Sequence, residues 1–220
     1  MIQMGRPVLS VIICTRNRGP KLTNALESLL VQRDVDPSTV EVVVVDNGST
    51  DNTTEVALSF GPRMPYKYKV ATEPRPGVSF ARNKGLEEAK GEVVAFMDDD
   101  AVALESWLAG HLEAYRWRDR VGGVMGRIIP VWEAPRPDWL DPLLEPYITV
   151  VEYGDQPFEL EDPALAPVGA NMSFSRKALE EAGGFDPNFG FGGLKKIPHE
   201  ENDIALRMRR KGWLLLYWPA

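Results

Sequence analysis

Glu92-Val-Val-Ala-Phe-Met-Asp98-Asp99-Asp100-Ala-Val-Ala103 decides how the rest of the chain reads. Val93 to Met97 is an apolar run and reads as a buried strand. It ends abruptly in three carboxylates. Adjacent negative charges repel one another, so the fold gains little from them alone. A hard divalent cation would offset that repulsion, because such ions take oxygen ligands and bridge carboxylate to phosphate. In open α/β sheets, ligands bind just outside the carboxyl ends of strands. A solvated acidic turn is the alternative for the tripeptide taken alone.

Working outward, the same pattern recurs upstream. Val8 to Cys14 is a nearly unbroken run rich in β-branched residues and reads as a central parallel strand. Thr15-Arg16-Asn17-Arg18-Gly19-Pro20 follows, and then Leu22, Ala25, Leu26, Leu29 and Leu30 at helical spacing. Val42 to Val45 reads as a second buried strand, ending in Asp46-Asn47-Gly48-Ser49-Thr50-Asp51, a turn cluster that leads into a helix over Thr53 to Ser59. Tyr66 to Ala71 alternates and suits a strand nearer the sheet edge. Val78 to Ala89 reads as a helix stopped by Lys90-Gly91. Strands alternating with helices imply a parallel α/β sheet covered on both faces. Parallel strands would set Thr15-Arg16, Asp46-Asn47 and Asp98 to Asp100 along one edge, lining one crevice.

Downstream, Ser106 to Trp117 reads as a helix and Gly122 to Ile129 as a strand. Pro130 to Pro167 is rich in proline, which precludes long regular elements there. Trp132, Trp139, Tyr147, Tyr153 and Phe158 are scattered through it. Val168 to Phe174 suggests a strand, Arg176 to Ala182 a short helix, and Phe185 to Gly193 a glycine- and aromatic-rich loop. Glu200 to Lys211 is an amphipathic helix, and Trp213 to Trp218 begins a strand.

Composition narrows the function classes. With 220 residues the chain can bury a sizeable core. Lys+Arg 25 against Asp+Glu 32 gives a net charge of −7, which argues against a nucleic-acid partner. The one cysteine, Cys14, lies in an apolar run and reads as core. No stretch approaches ~18 consecutive apolar residues, so no transmembrane span is expected. The opening Met-Ile-Gln-Met-Gly-Arg-Pro lacks the order of a signal peptide, and a cytoplasmic protein is the resulting expectation. Among the motif classes, zinc-ligand spacing, a Walker A loop, Gly-x-Gly-x-x-Gly after the first strand and a Gly-x-Ser-x-Gly turn all fail to occur.

Several residues stand out as chemistry. Asp46 suits either an Asx turn or a carboxylate that receives hydrogen bonds from a base or sugar. Arg82, early in its helix, suits an anion site or a surface cation. Glu201, Ile204, Ala205 and Met208 share one helix face, so Glu201 points toward the protein body, where a carboxylate can act as a general base or simply cap the helix. Glu200 is the alternative base. Asp203 and Arg207 are spaced for a surface ion pair.

Ser10 to Arg18, Val43 to Asp51, Ala81 to Gly85 and Phe96 to Asp100 resemble, in order, the nucleotide-sugar half of the family 2 glycosyltransferases, inverting enzymes of GT-A fold. Gly169 to Phe174, Gly183-Gly-Phe-Asp186 and Glu200 to Arg207 resemble that family's acceptor-side segment and its acidic catalytic motif. The resemblance implies a single GT-A domain over 1–220, an α/β fold with a mostly parallel open sheet, in which 1–104 binds the nucleotide-sugar and 105–220 the acceptor. It implies that Thr15, Arg16, Asp46, Arg82, Asp98 and Asp99 contact the donor, with a UDP-sugar favoured. Asp100 with Asp98, an Asp-x-Asp pair, would bind Mg2+ or Mn2+. Glu201, or Glu200, would deprotonate an acceptor hydroxyl on a glycan, a lipid-linked molecule or a small molecule. Where the family often has Asp, this chain has Glu201. Resembling proteins usually continue past Tyr217-Trp218-Pro219-Ala220, so the resemblance implies either a short member or a trimmed chain, the latter lacking part of the acceptor site or a membrane-associating segment. Trp132 and Trp139 would stack on sugars or pack in the core. A sugar nucleotidyltransferase and a binding module without turnover are the rival readings. The first would show more glycine in the loop after the first strand than Thr15 to Pro20 has.

Overall fold

The computed structural model describes residues 8–192, 194–195 and 197–219. The opening heptapeptide, Gly193 at the end of the glycine-rich loop, and Ala220 lie outside the described residues. The elements run β1 (Leu9–Thr15), α1 (Gly19–Leu29), β2 (Val40–Asp46), α2 (Thr53–Ser59), β3 (Lys67–Thr72), α3 (Val78–Glu88), β4 (Val93–Asp98) and α4 (Trp107–Trp117). They continue with β5 (Val121–Gly126), β6 (Phe158–Glu159), β7 (Met172–Ser175), α5 (Arg176–Ala182), α6 (Glu200–Arg210) and β8 (Leu214–Trp218). All eight strands join one sheet in the order β3-β2-β1-β4-β7-β5-β8-β6.

The apolar strands bury both faces by simple alternation. Leu9, Val11 and Ile13 of β1, Val42 and Val44 of β2, and Ala95 and Met97 of β4 meet Leu22, Leu26 and Leu29 of α1 and Leu108 of α4. Ile12, Val43, Val45, Val94 and Phe96 point the other way, into a second core with Leu179 of α5 and Ile204 and Met208 of α6. Period-2 strands between period-3.6 helices therefore give the helix-covered sheet that the sequence implies. Helix α3 lies close on β1, because a Cβ at Gly85 would sit 2.5 Å from Ile12 Cγ2. β3 forms one edge of the sheet, as its alternating pattern suggests, and β6 the other.

Two boundaries differ from the sequence reading by three residues or more, for one reason. The strand expected over Gly122 to Ile129 stops at Gly126, and the one expected from Val168 starts at Met172. Asn171 Nδ2 donates to the Arg127 carbonyl at 2.8 Å, and its backbone N–H closes a turn on Val168 O at 2.9 Å. A side chain thus takes the place of the next ladder bond. The proline-rich segment holds only the 3-10 turn Pro142–Ile148 and two-residue β6, as its composition requires.

β7 enters antiparallel between β4 and β5. A buried polar chain ties it to α4. Asn171 Oδ1, just before β7, accepts from Trp107 Nε1 at 2.8 Å and faces His111 Nε2 at 2.9 Å, while His111 Nδ1 meets Ser173 Oγ at 2.8 Å. Tyr115 Oη lies 3.0 Å from Ser173 Oγ. This order of donors and acceptors suits a neutral imidazole protonated on Nε2. Burial pushes the His111 pKa down to about 4, with the Asn171 bond opposing. The unfolded chain therefore takes up a proton that the folded one refuses, and stability present above the unfolded value is lost as pH falls through it. Between about pH 7.5 and about pH 5 this residue accounts for a loss of about 2 kcal/mol. Urea unfolding of wild type and His111→Gln at the two pH values checks this, the variant losing less on acidification.

Candidate functional site

Strand register sets the crevice. Thr15 pairs with Asp46 across β1 and β2, and Cys14 with Asp98 across β1 and β4, so the three strand ends share one edge. The loops behind that edge are fixed by asparagines. Asn47 is buried and donates to the carbonyls of Glu73 (2.8 Å) and Arg75 (2.6 Å), while its Oδ1 accepts from Gly77 N at 2.9 Å. Asn17, in the left-handed region at φ 54°, accepts from Thr50 N at 2.7 Å. Loops after β1, β2 and β3 are thereby held to one another before any side chain is offered to a ligand.

Asp46 follows its capping alternative. Its Oδ1 accepts from Ser49 N at 2.8 Å and its Oδ2 from the Thr54 hydroxyl, so both oxygens close the β2–α2 loop. The Thr15 hydroxyl is buried, closes no well-formed hydrogen bond, and lies beside the Asp99 carboxyl. Arg16 is exposed. Cys14 packs against the core beneath Asp98, and burial pushes its thiol up to about 12.

The three strand-end acids have different surroundings. Asp98 is half-buried; burial pushes its carboxyl up to about 6, the Arg82 guanidinium opposes, and the Asp100 and Glu201 charges add to the rise. Asp99 is buried, which raises its pKa, while Arg18 opposes. Asp100 is exposed. Arg18 Nη1 sits 2.6 Å from Asp100 Oδ2 and 3.3 Å from Asp99 Oδ1. Sequence reasoning singled out Arg16 in this loop and missed Arg18 as a site residue. The available signal was the pair of arginines flanking Asn17, only one of which lands over the acids.

Arg82 links the two halves of the chain. It is buried on α3, and its Nη1 donates to Glu200 Oε1 at 2.7 Å and Glu201 Oε1 at 2.9 Å, both at the start of α6. Its guanidinium also stands 5.4 Å from the Phe185 ring centroid. Arg82 is buried, so it is not the surface cation of its alternative reading. Val78 N–H, at the start of α3, donates to Phe191 O at 3.0 Å, and Arg82 turns to the two glutamates. The glycine-rich loop lies over this turn: Ser79 donates to Phe189 O at 2.8 Å, and a Cβ on Gly190 (φ 94°) would meet Val78 Cγ1 at 2.6 Å.

Helix α6 carries Glu200, Glu201 and Asp203 in its first turn and Arg207, Arg209 and Arg210 in its last, matching the helix dipole at both ends. The expected Asp203–Arg207 pair forms at 2.6 Å, and Arg207 also donates to Gly184 O at 2.7 Å. Glu200 and Glu201 differ in access, with side chains 5% and 18% exposed. Burial raises the Glu200 pKa, the Glu201 charge adds to this, and Arg82 opposes. Trp132 and Trp139 are exposed, so core packing does not account for them.

Asp98, Asp99, Asp100, Glu200 and Glu201 thus stand against Arg82 and Arg18 in one crevice, with carboxylates in excess. Among the described residues no group of three or more His, Cys, Asp or Glu is gathered as a metal cage. The donor set still fits a hard cation that takes one or two carboxylates and fills its remaining positions with phosphate and water. Asp98 and Asp100 are the residues that would hold it.

The tight fit around Arg82 has a measurable result. A Cβ at Gly169 would sit 2.3 Å from Arg82 Nη2 and 3.0 Å from Glu201 Oε1. Because Arg82 is held by two carboxylates, it cannot step aside freely, and Gly169→Ala is expected to cost about 1–3 kcal/mol in urea unfolding. Gly61→Ala, where the nearest atom is Tyr68 Cδ1 at 3.7 Å, is the comparison and stays within about 0.5 kcal/mol.

Comparison with known proteins agrees with the fold. The mannosyltransferase of Pyrobaculum calidifontis, solved with GDP-Man and Mn2+, superposes with a TM-score of 0.70 at 23% identity over 97% of this chain and 55% of that one. S. aureus TarS with UDP-GlcNAc gives 0.70 at 20% identity, over 96% of this chain and 58% of that one. These likenesses establish the GT-A fold. Among curated proteins, the Haloferax volcanii glucosyl-dolichyl phosphate glucuronosyltransferase is 30% identical over 91% of this chain and 63% of its own length. Validoxylamine A glucosyltransferase of Streptomyces hygroscopicus subsp. limoneus is 29% identical over 94% of this chain and 49% of its own. The chain therefore spans about half to two thirds of these relatives' length. The model of glycosyl transferase family 2 matches residues 10–183, and this chain belongs to that family of enzymes.

Proposed function

We propose that this chain transfers a sugar from a nucleoside diphosphate sugar, a UDP-sugar by preference, to an acceptor hydroxyl with inversion at the anomeric carbon. The observation that carries this reading is the meeting at Arg82: Nη1 holds Glu200 and Glu201 from α6, and the same charge acts on Asp98 at the end of β4. Leaving-group acids and base candidates then share one crevice, contributed by the 1–104 and 105–220 halves respectively.

In this reading the nucleotide lies along the β1–β2 edge, bounded by Thr15, Arg16, Asp46, Arg82 and Asp99. Asp98 and Asp100 would hold Mg2+ or Mn2+, which would supply stabilisation of the charge on the departing diphosphate. Glu201 is the base. Of the two glutamates it has the more accessible side chain, and Arg82 fixes one of its oxygens. The acceptor oxygen bonds to the anomeric carbon, the bond from that carbon to the diphosphate oxygen breaks, and the hydroxyl proton passes to Glu201. Glu200 keeps Arg82 in place. One displacement from the face opposite the leaving group inverts the centre. Mn2+ in neighbouring GT-A structures with GDP-Man, or with UDP and GalNAc, supports the donor and ion classes.

The acceptor is a glycan, a lipid-linked molecule or a small molecule. The relative named a glucosyl-dolichyl phosphate glucuronosyltransferase favours the lipid-linked class. No helix among the described residues is long and apolar enough to cross a membrane. We place the enzyme in the cytoplasm, peripherally at the inner membrane face when its acceptor is lipid-borne.

Thermal unfolding with UDP, GDP or dTDP, in Mn2+ or in EDTA, tests the donor site. One nucleotide at a hundredfold excess over Kd is expected to raise Tm by about 5–10 °C in Mn2+ only, and Asp100→Ala to abolish the rise. No rise with any nucleotide would sink the proposal. Glu201→Gln is expected to lower kcat by about 100- to 10,000-fold with donor KM little changed. If Glu200→Gln is the more damaging in kcat, the base has been assigned to the wrong glutamate.

A further inference from the structure

Arg18 is placed where a donor-site cation would compete with it. Its backbone is fixed: Arg18 N donates to Thr53 Oγ1 at 2.9 Å, and the preceding Asn17 is tied to Thr50. Its side chain is 48% exposed and is held only at its tip, by Asp100 at 2.6 Å and Asp99 at 3.3 Å. Lys21 Nζ is 4.0 Å from Asp100 and 3.8 Å from Glu133, so it is shared and more weakly engaged. A guanidinium 2.6 Å from Asp100 Oδ2 and an inner-sphere divalent cation on the same carboxylate repel one another at close range, so the ion weakens the Arg18 contact and displaces the guanidinium from its present position.

From this geometry we propose that Arg18 couples metal and diphosphate binding. It is the counter-ion of Asp100, and it is released to the diphosphate oxygens when a divalent ion takes that carboxylate. The inference rests on the metal-assisted donor site proposed above. Asp99 Oδ1 keeps one end of the guanidinium near the crevice, and the fork geometry of arginine suits two phosphate oxygens. A divalent ion alone must break the Arg18–Asp100 pair with nothing offered in return. With a diphosphate present, the displaced guanidinium gains a new anion. Each ligand therefore raises affinity for the other, by the same factor in both directions.

The test is Mn2+ binding, followed by the paramagnetic resonance signal of free Mn2+, without nucleotide and with UDP or GDP, each set against the protein-free nucleotide, whose diphosphate binds Mn2+ by itself. Wild type, Arg18→Gln, Arg18→Lys and Arg33→Gln are compared. Arg33 pairs with Glu105 at 2.9 Å and serves as an equal change of charge at another pair. Wild type is expected to bind Mn2+ on the order of 5- to 100-fold more tightly with its nucleotide than without. Arg18→Gln should bind Mn2+ alone several-fold more tightly than wild type and show several-fold weaker coupling, the remainder coming from the ion's own attraction to the diphosphate. Arg18→Lys should keep part of the coupling, and Arg33→Gln all of it. Wild-type coupling in Arg18→Gln, or an equal gain of Mn2+ affinity in Arg33→Gln, would overturn the role of Arg18 and leave the donor site standing. If wild type binds no Mn2+ with either nucleotide, the donor site and the role of Arg18 both fail.

Discussion

One buried guanidinium holds the crevice together. Without Arg82, the carboxylates at the start of α6 would face Asp98 across a site of low solvent exposure, and mutual repulsion would push the halves apart. With it, α3 and α6 are joined by charge-assisted bonds of 2.7 and 2.9 Å. Removing one partner of such a group leaves an uncompensated buried charge, which costs far more than the pair contributes. Gly169, Phe185 and Gly190 pack around the Arg82–Glu200–Glu201 cluster, so the backbone of the 105–220 half is shaped by an arginine from the 1–104 half.

Much of this fold was legible in the sequence because its strands are buried on both faces. The β-branched runs of β1 and β2 can hardly be anything but central parallel strands, and the helices between them carry period-3.6 apolar faces. Thr53–Ser59 and Arg176–Ala182 match the expected helices residue for residue. The order of the strands was not legible. Nothing in Met172–Ser175 says that it lies between β4 and β5, because that placement comes from contacts with residues far away in the chain, His111 and Trp107 among them.

The candidate site was legible in its acids and less so in its cations. Carboxylates at strand ends announce themselves by breaking an apolar run, as Asp98 to Asp100 do. An arginine carries no such mark. Arg16 and Arg18 are alike in sequence, and the left-handed turn at Asn17 decides which of them reaches the acids. Asp46 shows the reverse case: a residue at the right strand end whose oxygens are both engaged by its own loop.

The antiparallel entry of β7 also bears on how the chain is made. β5 pairs only with β7 and β8 in the finished sheet, yet it leaves the ribosome well before either. The stretch from Gly126 to Met172 takes roughly 2–10 s to synthesise at ordinary elongation rates, and through that interval one edge of β4 and both edges of β5 are open. Open apolar edges invite pairing with other nascent chains. The four parallel strands can assemble early around α1 and α3, but the far half of the sheet must wait for translation to pass β7. The chain is thus open to wrong strand pairing for as long as β7 and β8 have yet to be made.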